Sequence, residues 1–510
     1  MSSVRVIRAG KTEEFSAKSD ESLLEVLRRN GVAVTAPCGG NGTCGKCRVT
    51  LRTEDGDESV LACRTMVTGD CTVLLETAEG GVICADGEAV PLQADGRSGL
   101  GAAVDLGTTT VAVKLFDLSD GTEIGSRSAW NAQAPYGGDV ITRCQFCMER
   151  PDGLDTLKTL VQKQILELIA GICADTGRDI CEVKEIFLAG NTVMQHILWG
   201  LSPAGIAVAP FRPESLFDDG THMHLDGMTL RCAPCVAGYV GGDITAGLLA
   251  SGLHKTGGRS LFLDVGTNGE MALGGADGFL SCAVASGPAF EGAGITCGMA
   301  STAGAVSHVR WNGEAPEFEV IGGGAAKGIC GSGLLDLLAM LLELGIVDET
   351  GYLLPPEDAP EGFEAWLDED ENGSGCFWLT DEVCFTAADV RQLQLAKAAV
   401  AAGISVLMQE SGVSFEDIDR LVLAGGFGSH MSARSAVAIG MLPEALLEKI
   451  VCVGNSSLIG ASMALLSHQK REELLNIQKT CNYLELSGNS AFNDLFPEHM
   501  TFDKEESPWN

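Results

Sequence analysis

Phe262-Leu-Asp264-Val-Gly266-Thr267-Asn268-Gly269-Glu270-Met-Ala-Leu273 repeats a pattern already present in Ala103-Val-Asp105-Leu-Gly107-Thr108-Thr109-Thr110-Val-Ala-Val113. Each copy reads as an apolar strand ending in an acid, a tight turn of glycine and hydroxyl residues, and a second alternating strand. That is a β-hairpin with hydrogen-bond donors at its tip. Glycine lets backbone N–H groups come close to an anion, and the hydroxyls add donors. The aspartate before the turn can hold the water shell of a metal ion against a polyphosphate. A single Asp-x-Gly-Thr strand end is most often just a turn. Two copies predict a duplicated fold that closes on a nucleotide from both sides.

Composition limits what else the chain can be. It has 510 residues, 45% of them hydrophobic, enough for two to four domains with sizeable cores. Its 34 basic and 69 acidic residues give a net charge of −35. Such a charge argues against a nucleic-acid or anionic-membrane partner. No uncharged run reaches membrane-spanning length, and Arg5, Arg8 and Lys11 are not followed by an apolar segment, so a cytoplasmic protein is expected. Nineteen cysteines are then read as reduced thiols and metal ligands rather than a disulfide framework.

Four of those thiols form a pattern. Cys38, Cys44 and Cys47 are threaded through glycines, and Cys63 returns from a separate element in Leu61-Ala-Cys63-Arg-Thr65. Cys44-x-x-Cys47 alone would also suit zinc, but zinc sites usually pair two such knuckles. Cys-x5-Cys-x2-Cys with one distant cysteine resembles a [2Fe–2S] ferredoxin loop. Gly40 to Lys46 nearly spells a phosphate-binding loop, yet Cys47 replaces the required hydroxyl and no helix pattern follows. The Gly- and Asp-rich stretch after it, through Leu100, has no period and is expected to be a flexible tether.

Further along, Tyr136-Gly-Gly-Asp139 and Gly241-Gly-Asp243 each place an acid before a helical pattern. Both acids are candidates to support a metal, and a helix N-cap explains either equally well. His196 is read as a satisfied core residue. The pairs Cys144/Cys147 and Cys232/Cys235 are read as ordinary thiols. The loop Ser286–Gly294 is too glycine-rich to pack as core, so it is expected to serve a ligand or partner. Leu421-Val-Leu-Ala-Gly425-Gly426-Phe427-Gly428 is a buried strand running into a bare turn, against which an adenine or ribose can lie. Phe492, Phe496 and Phe502, spaced among acids, predict a docked C-terminal arm.

Two such hairpins followed by Leu-Ala-Gly-Gly-Phe-Gly resemble the superfamily of acetate and sugar kinases, heat-shock chaperone ATPases and actin (ASKHA). With the N-terminal thiol loop, and with Ser286-Gly-Pro-Ala-Phe-Glu-Gly292 and Gln394-Leu-Ala-Lys397, the whole chain resembles the reductive activators of corrinoid proteins. That resemblance implies an α/β fold: a β-grasp [2Fe–2S] ferredoxin domain over 1–78, a flexible linker over 79–99, and an actin-like core of two ribonuclease H-like lobes over 100–257 and 258–510. It leaves little room for the extra domain that larger family members carry between carrier and core.

The same resemblance implies an ATP-hydrolysing activase that returns a corrinoid protein's Co(II) to Co(I) with one electron from the cluster. A gap of ~300 mV corresponds to about 7 kcal/mol for one electron, a size that ATP hydrolysis suits. Cys38, Cys44, Cys47 and Cys63 would hold the cluster. Asp105 and Asp264 would position Mg2+-bound phosphates, with Gly107, Thr108, Thr109, Gly266, Thr267 and Asn268 donating to them. Gly425 and Gly426 would face the adenosine, and Glu270 would orient the attacking water. The loop Ser286–Gly294 would reach the corrinoid. An upstream electron donor is required and a homodimer is left open. The rival expectations are an ATP-driven donor to another low-potential enzyme and a redox-sensing nucleotide-binding module without turnover.

Overall fold

The computed structural model describes residues 2–8, 11–18, 21–30, 32, 34, 40, 47–53, 56–75, 92–266, 268–369, 374–428, 430–503 and 509. Cys38, Cys44, Thr267 and residues 79–91 of the expected tether lie outside the described residues.

The N-terminal unit is a five-stranded sheet. Ser2–Arg8 pairs antiparallel with Lys11–Ala17 and parallel with Cys71–Leu75, which in turn pairs with Arg48–Thr53 and, beyond it, Gly56–Leu61. The helix Leu23–Arg29 lies across it. Ser22 starts that helix with a capping box closed by Glu25, and Leu23, Leu24, Val26 and Leu27 are buried against Val4, Val6, Val49 and Val73. This is the β-grasp arrangement, with a helix covering one face of a mixed sheet.

The rest of the chain is built on two six-stranded sheets with the same inner plan. In the first, Leu100–Leu106, Thr110–Asp117 and Glu123–Trp130 form an antiparallel meander, and Val183–Gly190 and then Met228–Cys232 add parallel strands on the other side. In the second, Arg259–Val265, Gly269–Gly275 and Gly278–Val284 form the meander, and Ile418–Ala424 and Ile450–Cys452 add in parallel. Parallel central strands must be covered on both faces, and here they are nearly all buried. Helices Gly242–Ser251 and Ser456–Leu466 lie in the cluster between the sheets, where Ala103, Phe116, Phe187 and Ala246 meet Phe262, Ala272, Val422 and Leu458. Each sheet therefore presents the tip of its first hairpin to the cleft between the lobes.

Other elements follow local signals. Gly153–Thr176 and Ala387–Ser411 are long helices, the second opened by a Thr386–Asp389 capping box. The acidic segment after Asp348 contains regular structure. Its strand Leu367–Glu369 pairs with Gly375–Thr380, and Phe363 and Trp366 pack on Trp311. The C-terminal arm does dock: helix Ser490–Glu498 and Phe502 belong to the second-lobe core. Within the expected tether, residues 92–99 run along the core. Asp95 N–H donates to Leu466 O at 3.0 Å, and Arg97 pairs with Glu185.

Candidate functional site: an acidic cleft between two hairpin turns

At the cleft, the strand ends carry their acids inward. Asp105 closes the first hairpin's leading strand, and its carboxylate accepts from Asn455 Nδ2 at 2.9 Å and Ser457 Oγ at 2.7 Å. Both donors sit where the strand after Ile450 turns into helix Ser456–Leu466, so one lobe's acid is held from a helix start in the C-terminal half. Asp264 occupies the matching place in the second hairpin, and no described residue donates to it. Glu270 stands directly across from Asp264 in the antiparallel register and is 8% exposed. Its neighbour Asn268 reaches it with Nδ2 at 3.5 Å.

Electrostatics gather a fourth acid into the group. Burial, then the charges of Asp264 and Asp105, push the Asp243 carboxyl up to about 7. Burial and Asp105 push Asp264 up to about 7 as well. Glu270 is raised well above the usual carboxylate range by burial and by Asp243 and Asp264. Asp105 is raised by burial too, but Ser457 and Asn455 work against the shift. These carboxylates penalise one another's ionisation across the cleft, so a cation entering it would be strongly favoured. Among the described residues no three potential ligands converge closely enough to grip a metal directly. The donor set instead suits a magnesium ion held through water and phosphate oxygens.

Asp139 and Asp243, which look alike in sequence, part company here. Asp139 is the N-cap of helix Val140–Glu149 and accepts from Thr142 N–H at 2.8 Å. Asp243 lies in the first turn of helix Gly242–Ser251 and faces the other acids.

The turns themselves are braced from behind. Fully buried Arg143 donates to Thr108 O, to Gly137 O at 3.0 Å and to Gln133 Oε1 at 3.1 Å. Burial lowers its guanidinium to about 9, with Asp139 and Glu291 pulling the other way, so it stays charged at neutral pH. Asn131 Nδ2 donates to Gly107 O at 2.8 Å. In the second lobe, Ser286 Oγ donates to Gly266 O at 3.1 Å.

Glu291 links the two turns. Its Oε2 accepts from Thr109 Oγ1 at 2.9 Å, and its Oε1 lies 3.5 Å from where a side chain on Gly266 would begin. The neighbouring Phe290 is 1% exposed and stacks on Phe427 with ring centroids 4.9 Å apart. The expectation that loop Ser286–Gly294 reaches outward to a corrinoid is therefore corrected for this part of it: Phe290 and Glu291 turn inward, onto Phe427 of the glycine turn and onto the two hairpin turns.

Gly425 and Gly426 begin a short helical turn after strand Ile418–Ala424. Gly425 has φ +82°, and a Cβ there would sit 2.3 Å from Asp264 Oδ1, so only glycine lets this turn approach the acid. Gly426 faces open space, as a surface for a flat ligand would.

In the N-terminal unit, Cys47 and Cys63 bring their sulfurs to 3.2 Å, and Ala62 N–H donates to Cys47 O at 2.9 Å. Gly40, at φ +103°, packs beside Cys63 and the helix residues Leu24 and Arg28. Two thiols at one point beneath a glycine turn fit the donor set of an iron–sulfur cluster. His196 is an internal strut: its Nδ1–H donates to Thr192 O at 2.7 Å, and Nε2 accepts from Glu214 N–H at 3.1 Å. Cys144 and Cys147 pack in one core cluster and Cys232 and Cys235 in another, so these pairs do not form one site.

Arg143, Asn131, Asn455, Ser457 and Glu291 were not singled out from sequence. Asn455-Ser-Ser at a strand-to-helix junction is the one local signal that was available, since such residues start helices and donate side-chain hydrogen bonds. Nothing local marks Arg143.

Three family models match the chain in succession. Residues 6–68 match the 2Fe-2S iron-sulfur cluster binding domain, 100–256 the RACo middle region, and 258–510 the C-terminal domain of RACo, the ASKHA domain. Corrinoid activation enzyme RamQ of Eubacterium limosum is 32% identical over 418 residues, covering 79% of this chain and 70% of RamQ. A [Co(II) methylated amine-specific corrinoid protein] reductase of Methanosarcina barkeri is 24% identical over 438 residues, covering 78% and 76%. A solved structure of a reductive activator for corrinoid, iron-sulfur protein superposes with TM-score 0.72 at 30% identity, covering 99% of this chain and 100% of that one.

Proposed function

This chain belongs to the RACo family of reductive activators of corrinoid proteins, and from that premise we propose that it uses ATP hydrolysis to drive one electron onto the Co(II) of a corrinoid protein, giving Co(I). The observation that carries the reading is the cleft in which Asp105, Asp243, Asp264 and Glu270 meet between two matched hairpin turns. A cleft of mutually repelling carboxylates beside donor-rich turns suits a magnesium polyphosphate. The N-terminal thiols give that cleft an electron to control.

Cys47 and Cys63, with Cys38 and Cys44, would hold a [2Fe–2S] cluster that supplies single electrons at low potential. Asp105 and Asp264 would hold a magnesium ion, which would supply positive charge to the phosphates, while the turns at Gly107–Thr109 and Gly266–Asn268 would donate from either side. Glu270, raised well above the usual carboxylate range by burial and by Asp243 and Asp264, would orient the attacking water. Glu291 gives way to the incoming phosphates. Its release from Thr109 couples nucleotide arrival to the relative position of the two turns. Closure of the lobes then strengthens binding to the Co(II) partner, and hydrolysis with reopening makes the transfer one-way. An upstream donor recharges the cluster.

The deciding experiment is anaerobic. Reduced protein is mixed with a Co(II) corrinoid protein from the same cell, with and without Mg-ATP, and the Co(I) absorption band is followed. Co(I) that forms only with ATP, and is lost in Cys47→Ala and Asp264→Ala, is the expected result. A protein that holds its cluster and binds ATP yet forms no Co(I) with any corrinoid partner would send the electron elsewhere, to another low-potential enzyme.

A further inference from the structure

Away from the cleft, three thiols of the second lobe touch in succession. Cys297 follows the inward-turned Phe290–Glu291 segment, and Cys376 and Cys384 lie on the hairpin Gly375–Thr380/Val383–Thr386. Cys297 Sγ is 3.7 Å from Cys384 Sγ and also accepts from Cys384 N–H at 3.4 Å. Cys384 in turn holds the Cys376 thiol below its usual range, so the two interact across the hairpin. Cys376 and Cys384 are diagonal neighbours on the hairpin, since Cys376 pairs with Thr386 and Cys384 with Trp378.

The closeness is built by the backbone. One carboxylate, that of Asp389, takes Thr296 N–H at 2.7 Å through Oδ1 and Thr386 N–H at 2.9 Å through Oδ2. It thus pins the residue before Cys297 and the strand end after Cys384 to the same helix start. Cys297 is half-buried, whereas Cys376 and Cys384 are 6% and 8% exposed. Among the described residues no three potential ligands converge on a metal site, which favours a bond between two of the sulfurs over a shared metal.

We propose that Cys297, Cys376 and Cys384 form a thiol–disulfide exchange site that takes a low-molecular-weight disulfide and joins Cys297 to Cys384. Cys297 is the sulfur an external disulfide can reach. Its thiol is pushed up by the hydrogen bond to Cys384 and by burial, so a base from solvent takes its proton as it attacks. The Cys297 sulfur attacks the disulfide R–S–S–R, forming Cys297–S–S–R and releasing R–S⁻. Cys384 then passes its proton to Cys376 in its thiolate form, which Cys384 holds below the usual thiol range, attacks Cys297 Sγ and expels the second R–S⁻. Two protein thiols are oxidised, one disulfide is reduced to two thiols, and the electrons balance. Closing the sulfurs to about 2.05 Å ties the segment after Glu291 to the hairpin that leads into helix Ala387–Ser411. The site goes beyond the proposed reaction and does not depend on it.

The test treats the anaerobic, cluster-loaded protein with graded ratios of oxidised to reduced glutathione, alkylates the remaining thiols and maps the digest. The expected product is a Cys297–Cys384 linked peptide, two hydrogens lighter than its parts, that disappears on reduction while the cluster's visible absorption stays constant. In Cys384→Ser the expected product is glutathione retained on Cys297. Both cysteines alkylated at every ratio, or Cys297 carrying glutathione beside a free Cys384 in the unaltered protein, would overturn the site. If Cys384→Ser does not fold, the map of the unaltered protein decides alone.

Discussion

The hairpin of the first lobe and the hairpin of the second place the same acid at the same strand end, but they surround it differently. Asp105 is tied down by Asn455 and Ser457, and the residue across from it is Ala112. Asp264 has no donor among the described residues, and across from it stands Glu270. The turns differ too: Leu106 pairs with Val111 around four intervening residues, whereas Val265 pairs with Gly269 around three. Duplication supplies two ways to hold a phosphate. The second copy adds a carboxylate where the first has a methyl group, and leaves its aspartate free to meet a cation. We therefore expect the first hairpin to position and the second to react.

The sharpest way to break that contrast is to neutralise each aspartate in turn. Asp264→Asn is expected to lower corrinoid-stimulated ATP turnover by about 10²–10³-fold, the scale of losing a preorganised charge at the reacting phosphate. Asp105→Asn keeps groups that can bond Asn455 and Ser457, and is expected to cost about tenfold. Equal losses in steady-state assays would mean that the two hairpins are not specialised.

Glu270→Gln isolates the extra carboxylate. About a 10²-fold fall in kcat with little change in the KM for ATP is expected if it orients water, within the range of a general base. A rise in KM at constant kcat would make it a binding group instead.

Gly425→Ala tests the approach of the glycine turn to Asp264. The new Cβ would meet Oδ1 at 2.3 Å on a backbone at φ +82°. A weakening of nucleotide binding by about 1–3 kcal/mol is expected by calorimetry. The matching change at Gly426, which faces open space, is expected to be milder.

The smallest effect is a pH dependence. Asp243 and Asp264, held up near 7 by burial and by neighbouring carboxylates, bind protons in the folded state that the unfolded chain has already lost. Their contribution therefore falls as pH rises from about 4 through 7, the direction linkage requires for raised acids. The melting temperature without magnesium is expected to drop from pH 6 to 8, less steeply in Asp264→Asn or with Mg-ATP present. His499, lowered to about 4 by burial, acts in the opposite direction at the acidic end, so the comparison with the variant carries the test.

Much of this could be read along the chain. The thiol spacing, the two Asp-x-Gly-Thr turns and Leu-Ala-Gly-Gly-Phe-Gly are local patterns, and each fixes its own turn because glycine, hydroxyl and acid act within a few residues of one another. The sequence by itself determined that this protein has a cysteine-rich carrier, a duplicated pair of hairpins and a bare glycine turn. Tertiary structure alone decided which residues meet. Gly-Gly-Asp139 and Gly-Gly-Asp243 are the same local signal, yet one acid caps its helix and the other joins the cleft. Arg143 and Asn455 act on turns far away in sequence, and Glu291 faces both. The physical reason is range: turn geometry is set by neighbouring residues, whereas the charge and hydrogen bonding of a buried carboxylate are set by whatever the fold packs against it.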